Sequence, residues 1–141
     1  MAIKNTFNFT VRVRYSETDQ MGFVYYGNYA RFYEIGRTET MRELGIEYKS
    51  LEENGIMMPV ISLQVRYLRP AKYDDLLTLR TKIKILTKKE IVFDTNIYNE
   101  KSKLLNQGIV KLCFVDKNSG KRIPTPRFIL DKLAEIDNLS N

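Results

Sequence analysis

The sequence of 141 residues contains no histidine. Without an imidazole, the chain cannot form a Ser-His-Asp or Cys-His relay, and it cannot build a metal site from histidine ligands. Any catalysis must therefore use carboxylates, tyrosines, lysines or backbone amides.

Cysteine is nearly absent too, since Cys113 is the only one and cannot form a disulfide within the chain. Its apolar neighbours in KLCFV indicate a buried strand residue, with a reactive thiol as the alternative. No apolar run is long enough to span a bilayer, and the N-terminal MAIKNTFNFT lacks the apolar stretch of a signal peptide. We therefore expect a cytoplasmic protein with no membrane partner.

Length and composition are those of an ordinary globular chain. With 43% hydrophobic and 28% charged residues, we expect one domain over residues 1–141. The 23 Lys and Arg against 17 Asp and Glu give a net charge of +6, which favours an anionic partner. A phosphorylated cofactor and a mere solubility charge both fit, whereas nucleic acid is disfavoured because no basic stripe with interleaved aromatics is present.

An amphipathic helix is predicted from Asn28 to Gly45. Apolar or small side chains recur every three or four residues with charged ones between them, the period of a helix buried on one side. Asn28 suits the N-cap, where its side-chain oxygen would accept a hydrogen bond from a first-turn amide, and Gly45 suits the left-handed position that ends a helix. Gly36 costs a helix up to ~1 kcal/mol relative to alanine, so we expect a close approach to a sheet there. The apolar face comprises Tyr29, Phe32, Tyr33, Gly36, Thr40 and Leu44.

The rest of the chain alternates with the period of strands. Strands are predicted at 7–15, 56–70, 76–87, 91–100 and 107–116. A short helix or turn is predicted at 46–55 and a C-terminal helix at 127–141. This order predicts an α+β fold in which a strongly curved antiparallel sheet of about five strands wraps one long helix. Unpaired sheet edges and a partly apolar convex face predict dimerisation.

Asp19 lies in the connection between the first strand and the long helix. The first amides of a helix have no intrahelical partner and carry the positive end of the helix dipole. An oxygen that becomes negative would be stabilised there. Asp19 is thus a candidate catalytic group, with a turn or cap residue as the alternative. Glu17, two residues away, is expected to face water, with a carboxylate pair as the alternative.

The segment YSETDQMGFVYYGNYARFYEIGRTE resembles the signature of the hotdog-fold acyl-CoA thioesterases, specifically of the 4-hydroxybenzoyl-CoA thioesterase branch. In that branch a strand, a D-x-x-G turn, an aromatic pair and an N-Y helix start recur in this spacing. The resemblance is specific over residues 11–45, and VRYLRPAKYDDLLTLRTKI at 65–83 resembles the branch's second block. It implies a hotdog fold assembled as dimers or dimers of dimers, with active sites between subunits and coenzyme A bound across the dimer.

The resemblance also implies roles for single residues. Asp19 matches the family's catalytic carboxylate, Tyr26 the residue whose backbone amide polarises the thioester carbonyl, and Tyr15 an aromatic near that site. One sub-branch has histidine where Tyr26 stands, so a mechanism that needs that imidazole is excluded here, as is the chemistry of the hotdog dehydratases. Gly22 and Tyr29 are candidates for substrate contact, with a turn glycine and a core or dimer aromatic as the alternatives.

The predicted function is hydrolysis of an acyl-CoA thioester to the free acid and coenzyme A. This reaction needs a carboxylate that activates water or attacks directly, and a donor for the developing oxyanion, which Asp19 and the Tyr26 amide would supply. Coenzyme A is then part of the substrate, and neither a separate cofactor nor a metal is predicted. Candidates for contact with its phosphates, with a solvated surface as the alternative, are Arg69, Lys72, Lys82, Lys84, Lys88 and Lys89.

Two other functions fit the same residues. An acyl-carrier-protein thioesterase would act on the same phosphopantetheine thioester, presented by an acidic protein that a basic chain can dock. A non-catalytic acyl-CoA binding module would bind the thioester without hydrolysing it. The sequence does not select the acyl group, because aromatic, short branched and long aliphatic chains all suit a tunnel lined by Phe, Tyr, Leu and Met.

Overall fold

The structure is a computed structural model that describes the backbone of residues 2–140 and side chains up to residue 137. The elements in chain order are β1 (Phe7–Arg12), two 3-10 turns (Tyr15–Glu17 and Tyr26–Asn28), α1 (Tyr29–Glu43), α2 (Tyr48–Glu53), β2 (Ile56–Met57), β3 (Val60–Tyr67), β4 (Leu76–Leu86), β5 (Glu90–Tyr98), β6 (Leu104–Asp116), β7 (Arg122–Ile123) and α3 (Arg127–Ser140). None of the helices in this part of the chain is long and apolar enough to cross a membrane.

The strands form one antiparallel sheet with the order β1, β4, β5, β6, to which β3 and the short strands β2 and β7 add along β6. Because β6 has 13 residues, it pairs with β5 and then β7 along one edge and with β3 and then β2 along the opposite edge. Within residues 2–140, β3 pairs with β6 alone. One edge of β3 is therefore open.

The long helix α1 packs against β4, β5 and β6 on the concave side of the sheet. Its buried residues include Tyr29, Phe32, Tyr33, Gly36 and Thr40, as the helical period predicted. Strand residues of the same cluster are also fully buried, among them Leu77, Leu79, Ile83, Phe93 and Ile97. The α+β prediction of a long helix wrapped by a curved antiparallel sheet, the hotdog arrangement, is confirmed.

Gly36 marks the closest approach of helix and sheet. A Cβ atom at this position would lie 2.5 Å from Thr81 Oγ1, and that hydroxyl forms a buried hydrogen bond of 2.9 Å with Thr95 Oγ1. The predicted close approach is confirmed, and its reason is steric: the hydroxyl pair occupies the space that any side chain at Gly36 would need.

Several element boundaries differ from the predictions. β1 ends at Arg12 rather than near residue 15, because its partner β4 begins at Leu76, opposite Arg12, and offers no further ladder. The predicted strand at 56–70 is divided into β2 and β3, and Pro59, which has no N–H to donate, lies between them. The C-terminal helix runs to Ser140, and residue 141 lies outside the described residues. Cys113 is buried on β6, as predicted.

We expect the substitution Gly36→Ala to lower the free energy of unfolding by about 1–2 kcal/mol. Alanine gains up to ~1 kcal/mol of helix propensity, but overpacking a core costs ~1–3 kcal/mol, so packing decides the sign. Urea denaturation would measure the change. The double variant Gly36→Ala/Thr81→Ala restores the space and should lose less than the two single changes summed, whereas a Gly36→Ala protein as stable as the parent would contradict the steric reason.

Candidate active site

The loop between β1 and α1 is held against the segment that precedes β4. Val24 N–H donates to the carbonyl oxygen of Ala71 at 2.8 Å, and Tyr73 N–H donates to that of Gly22 at 3.0 Å. Isolated bridges join Phe23 to Lys72 and Thr18 to Val24. The loop is thus a fixed platform at the N-terminal end of α1.

Asp19 is exposed at the start of a tight turn. Its Oδ1 accepts hydrogen bonds from Met21 N–H at 2.9 Å and from Phe23 N–H at 3.3 Å. Its own N–H donates to the carbonyl oxygen of Phe23 at 2.8 Å. Among the described residues Oδ2 has no partner, so one carboxylate oxygen holds the turn and the other is free.

Gly22 allows this turn to close. Its φ of 77° lies in the left-handed region that favours glycine, and its N–H donates to the carbonyl oxygen of Asp19 at 3.0 Å. The structure therefore gives Gly22 the alternative role of a turn glycine, and it is absent from the residues that line the cleft beside Asp19.

Tyr26 begins the short 3-10 turn that leads directly into α1. Its N–H has no acceptor within residues 2–140, while its carbonyl oxygen accepts the Tyr67 hydroxyl at 3.3 Å. Asp19 and Tyr26 line the same open cleft of about 320 Å³. The other lining residues are Phe23, Val24, Tyr29, Tyr67, Leu68, Arg69 and Pro70. Asp19, with a free carboxylate oxygen, and Tyr26, with a free amide at the helix start, thus line one mostly apolar cleft.

The wall of the cleft is aromatic. Tyr29 is buried, its hydroxyl accepts Ala71 N–H at 3.4 Å, and its ring meets that of Tyr67 edge to face at 5.6 Å. Burial raises the pKa of Tyr29 above its ordinary value, so its hydroxyl stays protonated. Tyr33, one turn further along α1, is buried, and its hydroxyl donates a hydrogen bond to Asn106 Oδ1. The alternative of a core aromatic is correct for Tyr29, which also contacts the cleft.

Asn28 occupies the N-cap position of α1, as predicted, but the capping hydrogen bond expected of its side chain is wrong. Asn28 has φ of −85° and ψ of −10°, already helical, and makes no side-chain cap hydrogen bond, whereas N-cap residues are typically extended. Its Nδ2 instead donates to the carbonyl oxygen of Glu17 at 2.8 Å. The orientation of the Asn28 side-chain amide is therefore set by the Glu17 carbonyl oxygen and not by the N–H groups in the first turn of α1.

The expectation that Glu17 faces water is also wrong, because Glu17 is only 6% exposed. Its Oε1 accepts Arg14 N–H at 2.7 Å, and Arg31 Nη1 lies 4.0 Å from Oε2. The hydrogen bond and the nearby guanidinium offset the cost of burying the carboxylate. Glu17 points into the loop and is not among the residues that line the Asp19 cleft.

The remaining candidates lie in different places. Arg69 lines the Asp19 cleft. Tyr15 is 79% exposed and packs edge to face on Tyr73, outside the residues that line the cleft. Lys82 is exposed on β4 opposite Asp94, outside the cleft lining of this subunit. Lys88 lies in the turn between β4 and β5.

Among residues 2–140, no group of His, Cys, Asp and Glu side chains is arranged so that it could hold a metal ion.

Sequence reasoning missed Tyr67 and Leu68 as parts of the cleft. Their alternation predicted a strand, which is correct for Tyr67, but it carries no information about which loop the end of that strand meets. The pairing of Tyr67 with Asn106 and the bond from its hydroxyl to Tyr26 place it there. No local signal in the sequence could have found them.

The comparisons with known proteins agree on one family. A sequence model of the thioesterase-like superfamily matches residues 13–133. The putative acyl-CoA thioesterase YneP of Bacillus subtilis is 35% identical over 113 residues, 80% of this chain and 82% of that protein. The acyl-CoA thioester hydrolase YbgC of Escherichia coli is 34% identical over 129 residues, 92% of this chain and 96% of that protein.

Solved structures include a similar fold. The DHNA-CoA thioesterase from Staphylococcus aureus superimposes with a TM-score of 0.89 at 29% identity, and the match covers 96% of this chain and 93% of that one. The sequence and structural matches together confirm the resemblance inferred from residues 11–45 and 65–83.

We expect Asp19→Ala to speed amide hydrogen exchange at Met21 and Phe23, because both N–H groups donate to Asp19 Oδ1. Asp19→Asn keeps an oxygen acceptor there and should preserve protection. Tyr25 N–H, which donates to the Glu17 carbonyl oxygen, is the internal reference in both variants. Equal exchange at Met21 and Phe23 in the Asp19→Ala and parent proteins would show that the carboxylate does not hold the turn.

Proposed function

The chain belongs to the thioesterase-like superfamily, and from this premise we propose that it is an acyl-CoA thioesterase whose reaction takes place in the Asp19 cleft. The observation that carries the proposal is that Asp19 and Tyr26 line one cleft at the start of α1, while among the described residues neither Asp19 Oδ2 nor the Tyr26 N–H has a hydrogen-bond partner. The relatives named acyl-CoA thioesterases, at 34% and 35% identity, support the substrate class.

The chemistry follows from these two groups. Asp19 Oδ2 takes a proton from water as the new C–O bond forms, or attacks the carbonyl carbon itself to give an anhydride that water then cleaves. In both routes the negative charge on the carbonyl oxygen is received by the Tyr26 N–H and the positive end of the α1 dipole. The C–S bond breaks, and the coenzyme A sulfur leaves as a thiolate and takes up a proton.

The cleft walls suit both the acyl group and the phosphates of the coenzyme A leaving group. Tyr29, Tyr67 and Leu68 provide apolar surface beside Asp19, and Arg69, which carries a guanidinium, lines the same cleft. An acyl group would contact the aromatic wall, while a phosphate of the leaving group would be attracted by the guanidinium.

The proposed active form is a dimer that pairs two copies of β3. Seven of the eight β3 residues are exposed, and they include Val60, Ile61, Leu63 and Tyr67 at 42–54% exposure. A long apolar edge strand with open N–H and C=O groups is a template for pairing with another strand. A second copy satisfies both the apolar surface and the backbone groups at once.

A two-fold axis across antiparallel copies of β3 brings the Val60 end of one beside the Tyr67 end of the other. Val60 pairs with Leu112, which pairs with Ile91 on β5, and the turn with Lys88 and Lys89 lies at that same end of the sheet. The lysines of one subunit would therefore lie at the end of the dimer that holds the Asp19 cleft of the other. This placement favours Lys88 and Lys89 over Lys82 as contacts for the coenzyme A phosphates.

We expect Asp19→Asn to lower kcat by about 10²–10⁴-fold, the range for loss of a general base, while thermal stability changes little because Oδ1 is kept. Free-thiol release from a panel of acyl-CoA esters would measure this. Glu43→Gln, an exposed change at the far end of α1, is the control and should retain parental rates. Full turnover by the Asp19→Asn protein would exclude Asp19 as the catalytic group, and absence of thiol release from the parent protein would favour a binding module. Faster release from an acyl carrier protein than from coenzyme A would favour that carrier.

We expect Leu63→Lys to convert the dimer into monomers, because it places a charge on the paired edge. Ile85→Lys is the matched control, since Ile85 is 41% exposed against 42% for Leu63 but lies on β4. Sedimentation velocity would report the mass, and kcat/KM should fall together with dimer content. A monomeric parent protein, or an active monomeric variant, would contradict the dimer.

A further inference from the structure

One carbonyl oxygen connects the two halves of the proposed site. The Glu17 carbonyl oxygen accepts hydrogen bonds from Tyr25 N–H at 3.0 Å and from Asn28 Nδ2 at 2.8 Å. Glu17 precedes Asp19 by two residues, and Asn28 follows Tyr26 by two residues. Which end of the Asn28 side-chain amide faces Glu17 is unambiguous. The carbonyl oxygen can only accept a hydrogen bond, and only Nδ2 of Asn28 can donate one.

The Glu17 carbonyl is itself held firmly. Glu17 N–H donates to the Arg14 carbonyl oxygen at 3.0 Å, and the buried Oε1 accepts Arg14 N–H at 2.7 Å, so two bonds join the same pair of residues. Arg31 on α1 lies 4.0 Å from Oε2 and is 65% exposed, which makes it a minor contributor. The residue that Asn28 contacts is therefore rigid.

We propose that Asn28 is a positioning residue for thioester hydrolysis, acting through the Glu17 carbonyl to fix the separation between the Asp19 carboxylate and the Tyr26 N–H. The proposal rests on the proposed function, because it assigns a role in that reaction. Asn28 contributes no atom to the cleft lining. Its bond ties the helix start, which carries the oxyanion donor, to the turn that carries the acid.

A purely structural role makes a different prediction for one substitution. If Asn28 served the helix as an N-cap, aspartate would serve equally well, and its negative charge would be favourable at the helix N-terminus. If Asn28 acts as donor to Glu17, aspartate has no N–H to give and sets a carboxylate against a carbonyl oxygen. The variant Asn28→Asp keeps the size of the side chain and reverses its polarity at this contact.

We expect Asn28→Asp to lower kcat on an acyl-CoA ester by about 10- to 100-fold, the scale of a misplacement near 1 Å, with KM within about twofold of the parent. Asn28→Ala, which removes the donor without adding charge, should lower kcat in the same direction. The matched control is Asn54→Asp, because Asn54 Nδ2 donates to the Ser50 carbonyl oxygen at 2.7 Å at an exposed helix end. It should leave kcat unchanged, with melting temperatures recorded for all three.

A double variant with Asp19→Asn distinguishes a positioning role of Asn28 from a general loss of structure. Groups that act as a unit are non-additive, so Asn28→Asp should cause no further loss of kcat in an Asp19→Asn background. Parental kcat in both the Asn28→Asp and Asn28→Ala variants, or a full further loss in that background, would overturn the positioning role. If Asp19→Asn alone retains full turnover, the Asp19 chemistry of the proposed function fails instead, and if the parent protein releases no thiol, the proposed function itself fails, so these failures are distinguishable from failure of the positioning role.

Discussion

The structure depends on the burial of one face of α1 in the concave side of the sheet. At Gly36 the helix has no side chain, and the hydroxyls of Thr81 and Thr95 fill the space beneath it. Contact at backbone distance fixes both the height and the rotation of the helix, because either change would drive other side chains into the strands. The position of the helix N-terminus, and of every amide there, follows from this contact.

The loop before α1 and the open edge of β3 meet at that N-terminus. Several backbone donors of the loop are bound by Asp19 Oδ1 and the Glu17 carbonyl oxygen within it, and Val24 N–H by the Ala71 carbonyl oxygen outside it. Within the described residues the Tyr26 N–H is left free, beside a carboxylate oxygen that is also free. Since Tyr67 ends β3 and lines the cleft, the proposed dimer contact and the proposed chemistry share one region of the molecule.

Local patterns in the sequence were sufficient for much of the fold. The three-and-four spacing identified the buried face of α1, and the glycine within that face correctly predicted its approach to the sheet. Alternation located the main strands, although Pro59 divided one of them. The absence of histidine limited the possible catalytic groups to carboxylates, tyrosines, lysines and backbone amides, and the family resemblance selected Asp19 and Tyr26 among them.

What the sequence determined by itself is therefore the main helices and strands and the buried face of α1, because periodicity is a property of neighbouring residues. Tertiary structure alone decided which groups meet. β1 stops where β4 begins, the buried Glu17 carboxylate accepts the Arg14 N–H, and Asn28 bonds to a carbonyl 11 residues away. Such contacts depend on strand register and on how the loop closes. They join residues that are distant in the sequence, so no periodic pattern of neighbouring residues predicts them.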